Sequence, residues 1–201
     1  MKEGSVSAVY ASMDRAIASG LERMLLEEGL QPFCRIGCCH CCSFPILINI
    51  AESRALAQFV KRSFSPEQIR RLRAKTEQWH EWDDASRRRR AFPRAGTQSS
   101  LPSSNPGCPL LEEGACSAYD LRPTVCRVHF VSSHPLYCCA ANNPHFPKPP
   151  PSVMISIVTA TTDFSAAIRT LVEEAGFDYS RTMSLLPHGL AMEMGWDFAI
   201  E

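Results

Sequence analysis

The residues of this sequence best suited to chemistry are its ten cysteines, which fall into two groups. The first group lies in the stretch FCRIGCCHCC at 33–42 and places five thiols within nine residues. Its members are Cys34, Cys38, Cys39, Cys41 and Cys42. The second group follows after a long interval, at Cys108, Cys116, Cys126, Cys138 and Cys139. Thiols at such spacings serve as metal ligands, redox groups, disulfide partners or small apolar side chains.

The N-terminal segment and the chain length favour metal ligation among these alternatives. The segment lacks the uninterrupted apolar core of a secretion signal, because Asp14 and Arg15 interrupt it. We therefore expect a cytoplasmic protein, in which disulfides are rare. Metal-free redox exchange has a C-x-x-C in Cys38–Cys41, but no βαβ pattern surrounds it. A chain of this length can bury a core without disulfide support.

The spacing of the cysteines predicts a thiolate metal centre that draws on both groups. Soft sulfur ligands select zinc or an iron–sulfur centre over magnesium or calcium. Short intervals let successive sulfurs turn toward one point, and the long interval requires the fold to bring the groups together. Adjacent side chains diverge in extended backbone, so we expect Cys41 and Cys42 not to bind the same ion.

The cysteines belong to a composite motif that includes residues beside them. It reads C-x3-C-x2-C-C, then C-P-L-L, then C-x2-Y-x2-R-P-x2-C-R. Its positions are Cys34, Cys38, Cys41, Cys42, Cys108, Pro109, Leu111, Cys116, Tyr119, Arg122, Pro123, Cys126 and Arg127. This motif resembles that of the YkgJ-like cysteine-cluster family, and the resemblance covers 34–139. Glu52 stands where that family has a glutamate opening the helix after the first cysteines.

The resemblance implies a zinc- or iron-chelating domain, of a kind often described as an iron–sulfur oxidoreductase. A similar cysteine motif occurs in the flagellin lysine-methylase family, where it implies an iron–sulfur role, although this chain is short for a full enzyme of that kind. The sequence departs from the family pattern at Cys39, at the Cys138–Cys139 pair and at His129. The sequence therefore fits either one metal site or two, and it identifies no catalytic residue.

The number of thiols favours an iron–sulfur cluster of the 4Fe–4S type, with zinc as the alternative. A zinc ion takes four ligands, so two zinc sites would use nearly all of the available sulfurs, whereas a 4Fe–4S cluster needs four and leaves the rest for its surroundings. Arg122, Arg127 and Tyr119 are predicted to contact this cofactor, because cluster sulfurs accept hydrogen bonds. For Arg122 an ion pair with Glu52 or Asp120 is the structural alternative. The predicted metal ligands are Cys34, Cys38, Cys41, Cys42, Cys108, Cys116, Cys126, Cys138 and Cys139.

The charge pattern indicates neither a nucleic-acid partner nor a membrane. Twenty-one basic residues balance twenty-one acidic ones. The basic run 87–90 comes shortly after Glu81, Asp83 and Asp84, which is typical of a solvated helix end. No stretch is long and apolar enough to cross a bilayer. We expect an unidentified protein partner.

The elements that must position the cysteines are predicted to be mainly helices. Apolar residues recur at helical steps over 6–30 up to Gly29, and again in the later part of 44–64. Ser65, Pro66 and Gln68 form the start of a third helix. The β-branched stretch 152–162 fits either a strand or part of a buried helix, and a helix follows it up to Gly176.

The connecting stretches complete the predicted architecture. The segments 91–107 and 142–152 are rich in proline and polar residues and read as loops. We expect one domain over 1–201, mainly α, in which irregular cysteine-bearing loops surround a metal centre. Its metal-binding core lies at about 34–139 and is flanked by N- and C-terminal helices.

Overall fold

The computed structural model describes residues 3–91, 106–141 and 150–198, and within these ranges the chain is mainly α-helical, as the sequence predicts. The helices are α1 (Glu3–Glu28), α2 (Ile50–Ser63), α3 (Pro66–Ala91), α4 (Thr124–Val128), α5 (Leu136–Ala141), α6 (Ile155–Ala160), α7 (Thr162–Glu174) and α8 (Leu186–Met194). The strands are β1 (Leu47–Ile48), β2 (Leu111–Glu112), β3 (Ala115–Cys116) and β4 (Ser184–Leu185). They form two antiparallel pairs, β1 with β4 and β2 with β3.

Helix α1 forms because its apolar side chains fall on one stripe. Val6, Tyr10, Met13 and Ile17 recur every three or four residues, and all four are buried. The stripe packs against α2, α6 and α7. The helix ends where Gly29 adopts a φ of 66° and its N–H closes onto the Leu25 carbonyl, so the predicted stop is confirmed.

Helices α2 and α3 begin at reciprocal side-chain caps. Before α2, the Asn49 side chain accepts the N–H groups of Ala51 and Glu52, and Glu52 bonds back to the Asn49 backbone. Before α3, the Ser65 hydroxyl accepts the Gln68 N–H at 3.2 Å and the Gln68 side chain accepts the Ser65 N–H at 2.8 Å. The predicted start of α3 is therefore confirmed.

The β-branched stretch at 152–162 is mostly helical. Only Val153 makes a strand-like contact, an isolated bridge to Val131, before α6 begins at Ile155. Thr161 ends α6 and precedes α7 directly, and its hydroxyl donates to the Ile157 carbonyl. The helical alternative is thus the one the chain adopts, because this segment buries Ile157 against α1.

Helix α8 closes over the region that carries the cysteines. It packs on α2 and α3, and its first residue donates its N–H to the Ile46 carbonyl beside β1. The close packing depends on Gly189, where an added Cβ would lie 2.5 Å from the Ser53 hydroxyl oxygen and 2.7 Å from that of Ser184. The segment after the first cysteine group, which includes Ile46 and β1, is therefore held against the start of α8.

Two further expectations concern the chain as a whole. None of the helices in the described ranges is long and apolar enough to cross a membrane. The predicted connectors 91–107 and 142–152 fall mostly outside the described residues, and a single domain over 1–201 stays a prediction.

Candidate metal centre

The two cysteine groups meet directly. The Cys108 backbone N–H donates to the Cys42 carbonyl at 2.7 Å, which joins the second group to the end of the first. Both groups line one cavity of about 100 Å³. The cysteines on its wall are Cys38, Cys41, Cys42, Cys108, Cys116 and Cys126. The convergence expected from the spacing is therefore present in the fold.

A single 3₁₀ turn presents the vicinal thiols of the first group. The turn spans His40–Ser43, and the Cys42 N–H closes onto the Cys39 carbonyl at 3.0 Å. Cys41 and Cys42 therefore stand in a tight turn and not in extended backbone. Their thiols are near enough for the pKa of Cys41 to be lowered by Cys42. Both residues line the same cavity, and the expectation that they do not bind the same ion stays a prediction.

A short hairpin positions Cys116 opposite that turn. Strands β2 and β3 pair with Leu111 opposite Cys116, and Glu113 and Gly114 both take positive φ in the turn between them. Lys75 of α3 donates to the Leu111 carbonyl at 2.7 Å and pairs with Glu112 at 2.8 Å. The hairpin is thus fixed to α3 by a residue that the sequence reasoning did not single out.

Helix α4 carries Cys126 and is held by α2. The buried Glu52 carboxylate accepts the Thr124 N–H at the start of α4 at 2.8 Å. The same oxygen accepts the Tyr10 hydroxyl of α1 at 2.9 Å. Glu52 therefore caps α2, anchors α4 and contacts α1 at once. Its sequence position signalled only the first of these three roles.

Arg122 and Tyr119 both face the cavity. The Arg122 guanidinium carbon lies 4.0 Å from the centre of the Tyr119 ring, which is a stacking distance. The Arg122 Nε atom is buried and has no hydrogen-bond partner. No ion pair to Glu52 or Asp120 is present within the described residues, so the structural alternative for Arg122 is not adopted.

Comparison with known proteins identifies the composite motif. The family model named CxxCxxCC, described as a "Putative zinc- or iron-chelating domain", matches residues 33–150. The chain belongs to the CxxCxxCC family. That span includes every thiol of the cavity wall, and it agrees with the resemblance seen in the sequence. Neither the curated proteins nor the solved structures gave a match.

The second arginine of the composite motif, Arg127, has a different environment. Its side chain is buried and does not line the cavity. It donates to the Arg122 carbonyl at 2.8 Å, to the Asp14 carboxylate at 2.5 Å and to the Asp120 carbonyl, and it stacks on Tyr10. The Arg127 guanidinium is therefore already hydrogen-bonded to protein acceptors, and its contact with a cofactor stays a prediction.

The other predicted ligands lie beside the cavity wall. The Cys34 sulfur accepts the Val131 N–H at 3.4 Å and lies 3.7 Å from the His129 carbonyl oxygen. Cys138 is buried in α5, which packs against the 3₁₀ turn. The side chain of Cys139 lies outside the described residues. None of the nine cysteines with described side chains forms a disulfide.

Burial controls the protonation of these thiols. It raises the pKa of Cys34, Cys116 and Cys126, and the positive charge of Arg122 opposes that rise at all three. Burial also raises the pKa of Cys108 to about 12. The pKa of Cys41 is instead lowered to about 7, because the Cys42 thiol donates a hydrogen bond to it, and the pKa of Cys42 is raised correspondingly. Metal binding at most of these sulfurs must therefore release protons.

The arrangement of the donors defines which kind of centre they fit. Within the described residues, no three His, Cys, Asp or Glu side chains close on a single point as one metal ion requires. The six thiols instead stand around a cavity whose other wall is apolar. That wall is formed by Phe44, Pro45, Ile46, Trp79, Pro109, Leu110, Leu186 and Pro187. Soft donors around a partly buried volume, with the unpaired Arg122 Nε beside them, fit a thiolate-bound metal centre.

Proposed function

We propose that this protein carries an iron–sulfur cluster on cysteine thiolates from both groups and acts in electron transfer or in cluster-assisted modification of a protein partner. The observation that supports this most directly is the set of six thiols around one cavity. When bound, such a cluster supplies one-electron redox chemistry. The chain's own residues provide the thiolates, exclude water through the apolar wall and offer hydrogen-bond donors.

The spread of the thiols favours a cluster over a single zinc ion. Zinc needs four donors within about 2.3 Å of one point. A 4Fe–4S cluster binds one thiolate at each iron, so its ligands stand around a larger body. The six wall thiols surround a cavity of about 100 Å³, which suits the second case.

The protonation pattern also supports a shared metal centre. Cys108 and Cys126 both have pKa values raised by burial, and each is affected by neighbouring thiols as well. Buried thiols that crowd one another would be costly to ionise without a cation among them. A metal centre between them provides that cation. A reducing compartment such as the cytoplasm keeps such thiols available, and we place the protein there.

Purification without oxygen tests the proposal. We expect a brown protein with iron and acid-labile sulfide in equal amounts and a broad visible absorption that bleaches on reduction. Cys126→Ser should lose iron and colour, because Cys126 lines the cavity from α4. Cys39→Ser is the matched control, since Cys39 lies in the same loop as the first group but not on the wall. A colourless protein that holds stoichiometric zinc would overturn the proposal.

A structural zinc site that supports an interaction scaffold is the second candidate, and the zinc named in the family description favours it. In that case the bound metal would supply folding free energy, so a chelator would unfold the protein. The protein would also show no reducible absorption. Circular dichroism before and after chelation separates this candidate from the first.

A further inference from the structure

The Arg122 side chain lies at the thiol-bearing cavity, and its buried Nε atom makes no hydrogen bond to the protein. It stacks on Tyr119 at 4.0 Å, and both side chains line the thiol-bearing cavity. Its buried Nε–H has no acceptor. A buried guanidinium donor without a partner costs free energy, so an acceptor is expected from the cavity side.

The neighbouring Arg127, unlike Arg122, uses its side-chain donors in hydrogen bonds to the protein. Arg127 lies five residues further on and directs its donors to the carbonyls of Arg122 and Asp120 and to the Asp14 carboxylate. It therefore ties together the backbone around the second cysteine group. Arg122 makes no comparable set of bonds, although its own carbonyl is held by Arg127. The backbone of Arg122 is fixed, while its guanidinium is left for the cavity.

The thiols that surround Arg122 come from both cysteine groups. The residues near enough to respond to its charge are Cys34, Cys41, Cys116 and Cys126. They lie in four separate pieces of chain: the loop after α1, the 3₁₀ turn, strand β3 and helix α4. The charge of one guanidinium thus acts on thiols of both cysteine groups.

We propose that Arg122 is the positioning residue of the metal centre: stacked on Tyr119, its guanidinium donates a hydrogen bond to a metal-bound sulfur and offsets the negative charge of the thiolates. This inference rests on the proposed function. Four thiolates leave either a zinc site or an oxidised 4Fe–4S cluster with a net charge of about −2. In a cavity with one apolar wall, a fixed cation stabilises that charge more than it would in water.

Two variants and a control test the inference. Arg122→Gln removes the charge and keeps a polar side chain, and Arg122→Lys keeps the charge. Arg169→Gln is the control, because Arg169 is exposed and pairs with Glu173 on the surface of α7. Affinity is measured by competition between the protein and a chromophoric chelator for Zn²⁺ or Fe²⁺, and the midpoint potential is measured by redox titration of the iron-loaded protein.

We expect Arg122→Gln to weaken metal affinity by about 10- to 100-fold, the range typical of groups that support metal ligands. Its midpoint potential should fall, because the loss of a positive charge disfavours the reduced state. Arg122→Lys should recover most of both values, and Arg169→Gln should match the wild type. Unchanged affinity and potential in Arg122→Gln would overturn the inference.

A merely structural role would give another pattern. It would lower the unfolding free energy of the metal-free protein in Arg122→Gln and in Arg122→Lys without moving the potential, and this result would also overturn the inference. If Arg122→Gln does not fold, Tyr119→Leu removes the stacking surface instead, and we expect the potential to fall in that variant. Wild-type protein that binds neither iron nor zinc refutes the proposed function itself, whereas metal-binding wild type with an unaltered Arg122→Gln refutes only the role of Arg122.

Discussion

The Glu52 carboxylate accepts the backbone N–H of Thr124 at 2.8 Å, although the two residues lie in helices α2 and α4. The same oxygen accepts the Tyr10 hydroxyl, and the other oxygen accepts the Asn49 amide at 2.8 Å. A buried acceptor with several donors fixes three helices relative to one another. Because α4 carries Cys126, this network also fixes one wall of the metal cavity.

Replacing Glu52 should therefore affect stability and metal binding together. We expect Glu52→Ala to lower the free energy of unfolding by about 3 kcal/mol, because it leaves buried donors on Tyr10, Asn49 and Thr124 unpaired. Urea unfolding measures the loss. Glu67→Ala is the control, since the Glu67 side chain is exposed and its ion pairs are worth about 0.5 kcal/mol. A loss in Glu52→Ala no larger than in this control would contradict the role of the network.

Gly189 should tolerate no side chain in the native packing. Its added Cβ would meet the hydroxyls of Ser53 and Ser184 from two sides, and the Ser53 hydroxyl is itself bonded to the Asn49 carbonyl. We expect Gly189→Ala to cost about 1–3 kcal/mol of unfolding free energy through overpacking. The triple variant that adds Ser53→Ala and Ser184→Ala should recover part of the loss. Calorimetry compares the wild type, Gly189→Ala and the triple variant. If the contact is unimportant, Gly189→Ala will be as stable as the wild type and the triple variant no more stable than Gly189→Ala.

The Cys41 thiol should react at unusually low pH in metal-free protein. Its pKa is lowered to about 7 by the hydrogen bond from Cys42, whereas an ordinary cysteine has a pKa of about 8.5. Alkylation of Cys41 by iodoacetamide, followed by mass spectrometry, should reach half its maximal rate near pH 7. Cys42→Ala removes the donor and should move that midpoint to higher pH. An unchanged midpoint in the variant would show that the hydrogen bond does not control the reactivity.

His80 should make stability depend on pH. Burial and the neighbouring His188 lower its pKa, while the Pro187 carbonyl and the carboxylates of Asp83 and Asp84 act in the opposite direction. Below its ordinary pKa of about 6.5 the unfolded chain therefore binds more protons than the folded chain. The contribution of His80 to the free energy of unfolding is therefore complete above about pH 6.5, and it is lost as the pH falls toward the lowered pKa of His80.

Urea unfolding across that window tests the expectation. The free energy of unfolding of the wild type should decrease as the pH falls below about 6.5. His80→Asn should show a shallower decrease, because it removes the titrating group. Parallel curves for the two proteins would assign the pH dependence to other residues.

The sequence was sufficient where a signal is local. The helix stop at Gly29 and the cap of α3 at Ser65 and Gln68 depend only on neighbouring residues, and both are confirmed. The family motif was also readable, because its spacings are short within each group. Secondary structure at 152–162 was not decided by its β-branched composition, since burial of Ile157 against α1 selected the helix.

The different surroundings of the two arginines could not be predicted from the sequence. Arg122 and Arg127 stand in one motif, and both were expected to contact the cofactor. Only Arg122 reaches the cavity, because Arg127 finds Asp14 on α1, more than a hundred positions earlier in the chain. Such a partner depends on how the helices pack. For the same reason Lys75, which fixes the hairpin of the second group, carried no recognisable signal.

The backbone bond between Cys108 and Cys42 has a consequence for the metal-free protein. Main-chain atoms join the two cysteine segments, so at least this contact between them is made by the backbone and not by a shared ion. A chain that loses its bound metal should therefore keep this link, which holds the end of the first cysteine segment beside the start of the second.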